Sequence, residues 1–105
     1  MKLERHRYIV FGIYSEQEVT KDQLINRIWD SIFEIYGVKG SSETGLWVID
    51  LDATRQKGII RCNLKSLNKV KIALTLMTEI TRQNRIMIRI LGVSGTINTA
   101  KKKYY

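Results

Sequence analysis

The chain has 105 residues, enough for one domain spanning 1–105 and too few for a second. With 44% of its residues apolar it can bury a core, and no apolar run approaches the roughly 20 residues that cross a bilayer. The net charge of +8 is uneven: residues 57–105 carry eleven Lys or Arg against Glu79 alone, while the first 56 residues hold seven basic and nine acidic side chains.

Residues 5–14 read as a strand, with Tyr8, Ile9, Val10, Phe11 and Ile13 supplying β-branched and aromatic side chains. Both parities are apolar, which places this strand in the interior of a sheet. Residues 15–19 are a polar connection. Thr20 and Gln23 have capping-box spacing, and Leu24, Ile25, Ile28, Trp29, Ile32, Phe33 and Tyr36 recur at helical intervals. The expected helix therefore covers 20–36 and ends at Gly37 in a left-handed turn. Gly40, two serines and Thr44 make 38–44 a loop.

Residues 46–52 read as a strand with Trp47, Ile49 and Leu51 on one face. Residues 53–56 form a turn, and 57–63 return as the second strand of a hairpin. Residues 64–82 read as a helix burying Leu67, Val70, Leu74, Met77 and Ile80, with 81–84 as its exit. Residues 85–93 alternate, with Ile86, Ile88 and Ile90 facing Arg85, Met87, Arg89 and Leu91. Thr96 is placed to cap a short basic helix at 97–105. The order βαββαβ is that of an α+β, ferredoxin-like (RRM-like) sandwich. It predicts a four-stranded antiparallel sheet with two helices on one face, the first and third strands central, and a C-terminal helix.

Enzyme chemistry finds no support. His6 lies between two arginines and Cys62 alternates with Ile60 on a strand. Asp50 and Asp52 read as a solvated strand end, and no nucleophile–base spacing or phosphate loop occurs. No catalytic or metal-binding residue is expected. A single cysteine and a polar start at 1–7 fit a cytoplasmic protein without a membrane segment.

The charge points instead to polyphosphate. Gly92 and Gly95 bracket Ser94 and precede Thr96 at a helix start, where free amides attract phosphate, and Lys101, Lys102 and Lys103 follow. Arg5, His6 and Arg7 form a second patch on the first strand, next to the last strand in such a sheet. Lys57 and Arg61 suit phosphate contact. They lie where an RNA-recognition motif would hold stacking aromatics, but those places carry Ile59 and Arg61. Trp47, Met87 and Leu91 share the face away from the helices. They either meet a protein or are covered by the terminal helix through Ile97, Ala100 and Tyr104.

Four blocks occur in order: Arg5-His6-Arg7-Tyr8, Thr44-Gly45, Lys57-Gly58-Ile59-Ile60-Arg61-Cys62, and Gly92-Val93-Ser94-Gly95-Thr96-Ile97. In these the chain resembles the archaeal ribonuclease P protein component 2 family, related to a eukaryotic subunit shared by ribonucleases P and MRP. The first and last blocks are the specific ones. The resemblance implies a non-catalytic subunit of a ribonucleoprotein that removes the 5′ leader from precursor tRNA. The RNA would be the catalyst, using Mg2+, and the protein would bind no cofactor. The implied partners are the ribonuclease P RNA, precursor tRNA through the complex, and protein component 3, with self-association giving a 2:2 assembly. The implied RNA contacts are Arg5, His6, Arg7, Lys57, Arg61, Ser94, Gly95, Thr96, Lys101, Lys102 and Lys103. The alternative is a generic RNA-binding domain of RRM-like fold in another ribonucleoprotein.

Overall fold

A strand with apolar side chains on both parities needs cover on both faces, and the first strand has it. In the computed structural model, which describes residues 5–52 and 54–105, Ile9 and Val10 point to opposite faces of β1 (His6–Ser15) and both are fully buried. Residues 1–4, and Ala53 of the expected turn, lie outside the described residues. After β1 come α1 (Lys21–Ser42), β2 (Trp47–Asp52), β3 (Lys57–Asn63), a 3-10 turn (Leu64–Ser66), α2 (Leu67–Leu76), β4 (Glu79–Thr81), β5 (Asn84–Ser94) and α3 (Ile97–Tyr104). The strands form one antiparallel sheet in the order β2-β3-β1-β5-β4.

The main core lies between the sheet and the α1–α2 pair. It joins Ile9, Phe11 and Ile13 of β1 to Ile28 and Ile32 of α1, Ile60 and Cys62 of β3, Leu74 of α2, and Ile86 and Ile88 of β5. Ser31 Oγ donates to the Ala73 carbonyl at 2.8 Å across the two helices. A smaller core on the opposite face is built from Val10, Ile59 and Ala100, flanked by Tyr8, Ile49, Leu91, Tyr104 and Tyr105. The terminal helix α3 thus covers the middle of the face that the sequence leaves open. Register shifts at Val10/Phe11 against β5 and at Val48/Asp50 against β2 leave Leu91 and Ile49 as extra residues, both drawn into this second core. Such bulges increase local twist and curl the sheet.

Three expectations are corrected. The sheet has five strands, not four, because the helix expected over 64–82 stops at Leu76. Met77 takes an extended conformation (ψ 118°) and is buried, and Thr78, Ile80 and Thr81, all β-branched, continue as the edge hairpin β4–β5. Gly37 does adopt a left-handed φ of 74°, yet helix resumes beyond it to Ser42, so 38–44 is not a loop throughout. Hydroxyls there meet the helical carbonyls: Ser41 Oγ donates to Gly37 O at 2.6 Å and Ser42 Oγ to Lys39 O at 2.8 Å. At the other end of α1 the capping box forms. Gln23 N–H donates to Thr20 Oγ1 at 3.2 Å, and Thr20 N–H to Gln23 Oε1 at 3.1 Å.

Candidate nucleic-acid interface

Antiparallel partners project to the same face, so the strand registers lay out the α3 side of the sheet as cross-strand rows. The first row is Trp47, Arg61, Tyr8, Ser94; the second is Asp50, Ile59, Val10, Gly92; the third is Asp52, Lys57, Gly12, Arg89. Alternate residues on a strand are about 7 Å apart, so the outer rows lie about 14 Å from one another. α3 rests on the second row, leaving the first at its N-terminal end and the third at its C-terminal end.

At the first row the two segments expected to converge do so. Tyr8 pairs with Ser94, and a β-carbon added at Gly95 would sit 3.7 Å from Arg7 Nη1, so the guanidinium lies beside the start of α3. Arg7 Nη1 donates to the His6 carbonyl at 2.8 Å, while Arg5 is exposed at the rim. Gly95 and Thr96 are exposed, but Ser94 is buried and its Oγ accepts from Thr96 N–H at 3.3 Å. Thr96 Oγ1 in turn accepts from Thr99 N–H at 3.2 Å, the cap the sequence predicts. These hydroxyls therefore shape the turn. The free amides there belong to the first residues of α3. Arg61 lies between Tyr8 and Trp47, and its Nε is buried without a hydrogen-bond partner. Trp47 is 63% exposed on the edge strand.

Lys101, Lys102 and Lys103 fall in the last turn of α3, about 8–10 Å along the helix from Thr96, where cations complement the helix dipole. Of the three, Lys103 lines one recess with Lys57, whose Nζ donates to Tyr104 O at 3.3 Å, and Arg55, whose Nη1 donates to Tyr105 O at 3.0 Å. The Tyr105 hydroxyl donates to Asp50 Oδ2 at 2.9 Å. Burial, that hydrogen bond and the Asp50 charge all push its phenol above the ordinary range. On the α3 face Arg61 thus stands near the start of α3 and Arg55, Lys57 and Lys103 near its close, whereas Arg7, paired with Cys62, has the parity of the α1–α2 face. Met87 is exposed beside Tyr14, whereas Leu91 lies half-buried under α3.

Sequence reasoning missed Arg89 in the third row, Arg55 in the adjoining β2–β3 turn, and Tyr14 one row beyond, opposite Met87. It also passed over exposed apolar pairs on the helices, Trp29 with Phe33 on α1 and Ile72 with Leu76 on α2. The i, i+4 spacing of those pairs is the signal that could have found them. Among the described residues no three of His, Cys, Asp and Glu come together, and no helix is long and apolar enough to cross a membrane.

The sequence profile of the Rpp14/Pop5 family matches residues 7–105. The chain belongs to the Rpp14/Pop5 family. A protein named ribonuclease P protein component 2 from Thermococcus gammatolerans is 41% identical over 101 residues, covering 96% of this chain and 83% of that one. Proteins of the same name from Pyrococcus furiosus and Methanothermobacter thermautotrophicus are 38% and 36% identical, covering 96% and 93% of this chain and 83% of each. A chain in a cryo-EM structure of yeast ribonuclease MRP shares the fold of this family member. Its TM-score is 0.73 at 12% identity, over 91% of this chain and 78% of that one.

Proposed function

We propose that this chain is a non-catalytic protein subunit of a ribonuclease P ribonucleoprotein, supporting the RNA that removes the 5′ leader from precursor tRNA. One observation carries this reading: 41% identity, across 96% of the chain, to a protein named ribonuclease P protein component 2. The physical arrangement is compatible with it. Cations stand near both ends of α3, Arg61 and Arg7 at its start and Arg55, Lys57 and Lys103 at its close, and the chemistry expected of them is phosphate neutralisation, which lowers repulsion between packed RNA segments and is salt-dependent. The four long strands follow the ferredoxin-like order, which we read as that fold extended by the β4 edge. Mg2+ belongs, on this reading, to the catalytic RNA, and the protein works in the cytoplasm without a cofactor of its own.

Protein component 3 and a second copy, joined in a 2:2 assembly, are the proposed protein partners. The exposed Trp29–Phe33 and Ile72–Leu76 pairs, with Trp47, offer apolar area for such contacts. The generic RRM-like alternative is disfavoured because α3 rests on Val10 and Ile59, where such a domain would stack bases. The test is reconstitution. Adding this chain with component 3 to the catalytic RNA should raise precursor-tRNA cleavage at low Mg2+. Unchanged cleavage, with both proteins folded, would refute the proposal.

A further inference from the structure

At the third cross-strand row the α3 face opens into a cleft of about 320 Å³. Its floor is Gly12, a buried position on β1 where a missing side chain leaves room. Glycine inside a strand commonly marks such close approach. Arg55 and Lys57 form one wall, and Lys103 and Tyr104 of α3 the other. Tyr14, 49% exposed, stands at the mouth. Ile13 N–H donates to Gln56 O at 2.8 Å, which ties the β2–β3 turn to β1 and holds Arg55 and Lys57 over the floor. Arg89, opposite Gly12 on β5, lies on the same face.

Three cations from two segments, the β2–β3 hairpin and α3, thus line one recess, and among the described residues no acid lines it. The nearest acids are already engaged. Asp52 Oδ1 accepts from the Thr54 and Arg55 amides at 3.1 Å, its Oδ2 lies 4.0 Å from Arg55 Nε, and Asp50 accepts from Tyr105. Lys57 gives one hydrogen bond to Tyr104 O and Arg55 one to Tyr105 O, so both keep further donors for a ligand. Part of their role is to satisfy the carbonyls ending α3. Lys103 and Tyr14 have no such structural duty, since neither makes a side-chain hydrogen bond or ion pair with another described residue.

The geometry points to a nucleotide-binding cleft between α3 and β1 that takes one unpaired nucleotide of single-stranded RNA. Phosphate would lie among Arg55, Lys57 and Lys103, and the base against Tyr14 over Gly12. The volume is at the lower end of sites for small organic ligands and cannot admit a duplex. Cations with an adjacent aromatic face are the combination that holds single strands without reading sequence. This inference rests on the RNA-binding reading and adds to it a second site, distinct from the edge at Arg7 and Gly95.

The test uses the full chain and follows its amide NMR signals against hexauridylate, uridine 5′-monophosphate, inorganic phosphate and hexaglutamate. Hexauridylate and the mononucleotide should shift Gly12, Tyr14, Gln56 and Lys103, with phosphate weaker and hexaglutamate not competing. Tyr14→Leu should weaken hexauridylate about five- to hundredfold, the span of one base–aromatic stack. Lys103→Gln should lower the salt slope by about 0.7, one single-strand phosphate contact, and Lys103→Arg should restore it. Gly12→Val should fill the floor and abolish binding. Because that change lies inside the sheet, the exposed Tyr14 and Lys103 variants decide the matter should it fail to fold. Unaltered affinity in both of those, shifts confined to Arg7 and Gly95, or equal competition by hexaglutamate would overturn the cleft. None of these would touch the subunit reading, which fails only in the cleavage assay.

Discussion

Replacing Gly92 by alanine tests whether α3 is an integral layer of the fold. Gly92 lies in the second cross-strand row, and a β-carbon there would overlap the Tyr104 ring, which closes the small core over Val10, Ile59 and Ala100. The φ of Gly92 is not left-handed, so the cost comes from crowding and not from backbone strain. Overpacking by one methyl group typically costs about 1–3 kcal/mol. For a chain of this size each kcal/mol moves the unfolding midpoint by about 4 °C or more. Thermal unfolding followed by far-ultraviolet circular dichroism measures that loss. Limited trypsin digestion at Lys101, Lys102 and Lys103 reports whether α3 lifts away. Tyr104→Ala should remove the clash, so the double variant should be less destabilised than the two single losses combined. Additive losses, or an unchanged midpoint and digestion rate in Gly92→Ala, would refute the packing argued for α3.

Burial pushes the Cys62 thiol up to about 11, leaving about one thiolate in a thousand at pH 8. A chromogenic disulfide reagent should therefore react only as fast as the protein unfolds, and prompt reaction of the native protein would contradict the buried placement. Tyr105 has a phenol raised above its ordinary value near 10, so the fold favours the neutral form. Its contribution to stability is complete below pH 10 and falls as pH rises beyond that. Tyr105→Phe should flatten this alkaline loss in denaturant titrations at pH 8 to 11. Thr20→Ala removes one half of the capping box and should cost about 0.5–2 kcal/mol in urea unfolding, whereas Thr20→Ser should cost less.

Much of the framework was legible because local and global signals agreed. The paired apolar parities of β1, the Thr20–Gln23 cap, the β2–β3 hairpin and the alternation of β5 each specify one element, and each formed. Legibility failed where a helical spacing of apolar residues ran on through positions that backbone preference opposes. Met77 and Ile80 fit a helical stripe, yet Thr78 and Thr81 beside them, and Ile80 itself, are β-branched and favour extension, and an edge hairpin resulted. At 38–42 the reverse held. Glycine and serine read as loop, but serine hydroxyls bonded back to helical carbonyls. In the site, the meeting of Arg7 with Gly95 could be anticipated from strand order. The company of Arg55 and Gly12 with Lys103 could not, since it depends on the direction α3 takes across the sheet.

That path of α3 has a steric consequence. A broad sheet normally offers a flat table on which several planar groups can lie side by side, but here a ridge runs down the middle. Anything approaching from this side must straddle the ridge or settle at one of its ends. Surface relief, more than the order of letters in a strand, then decides what fits.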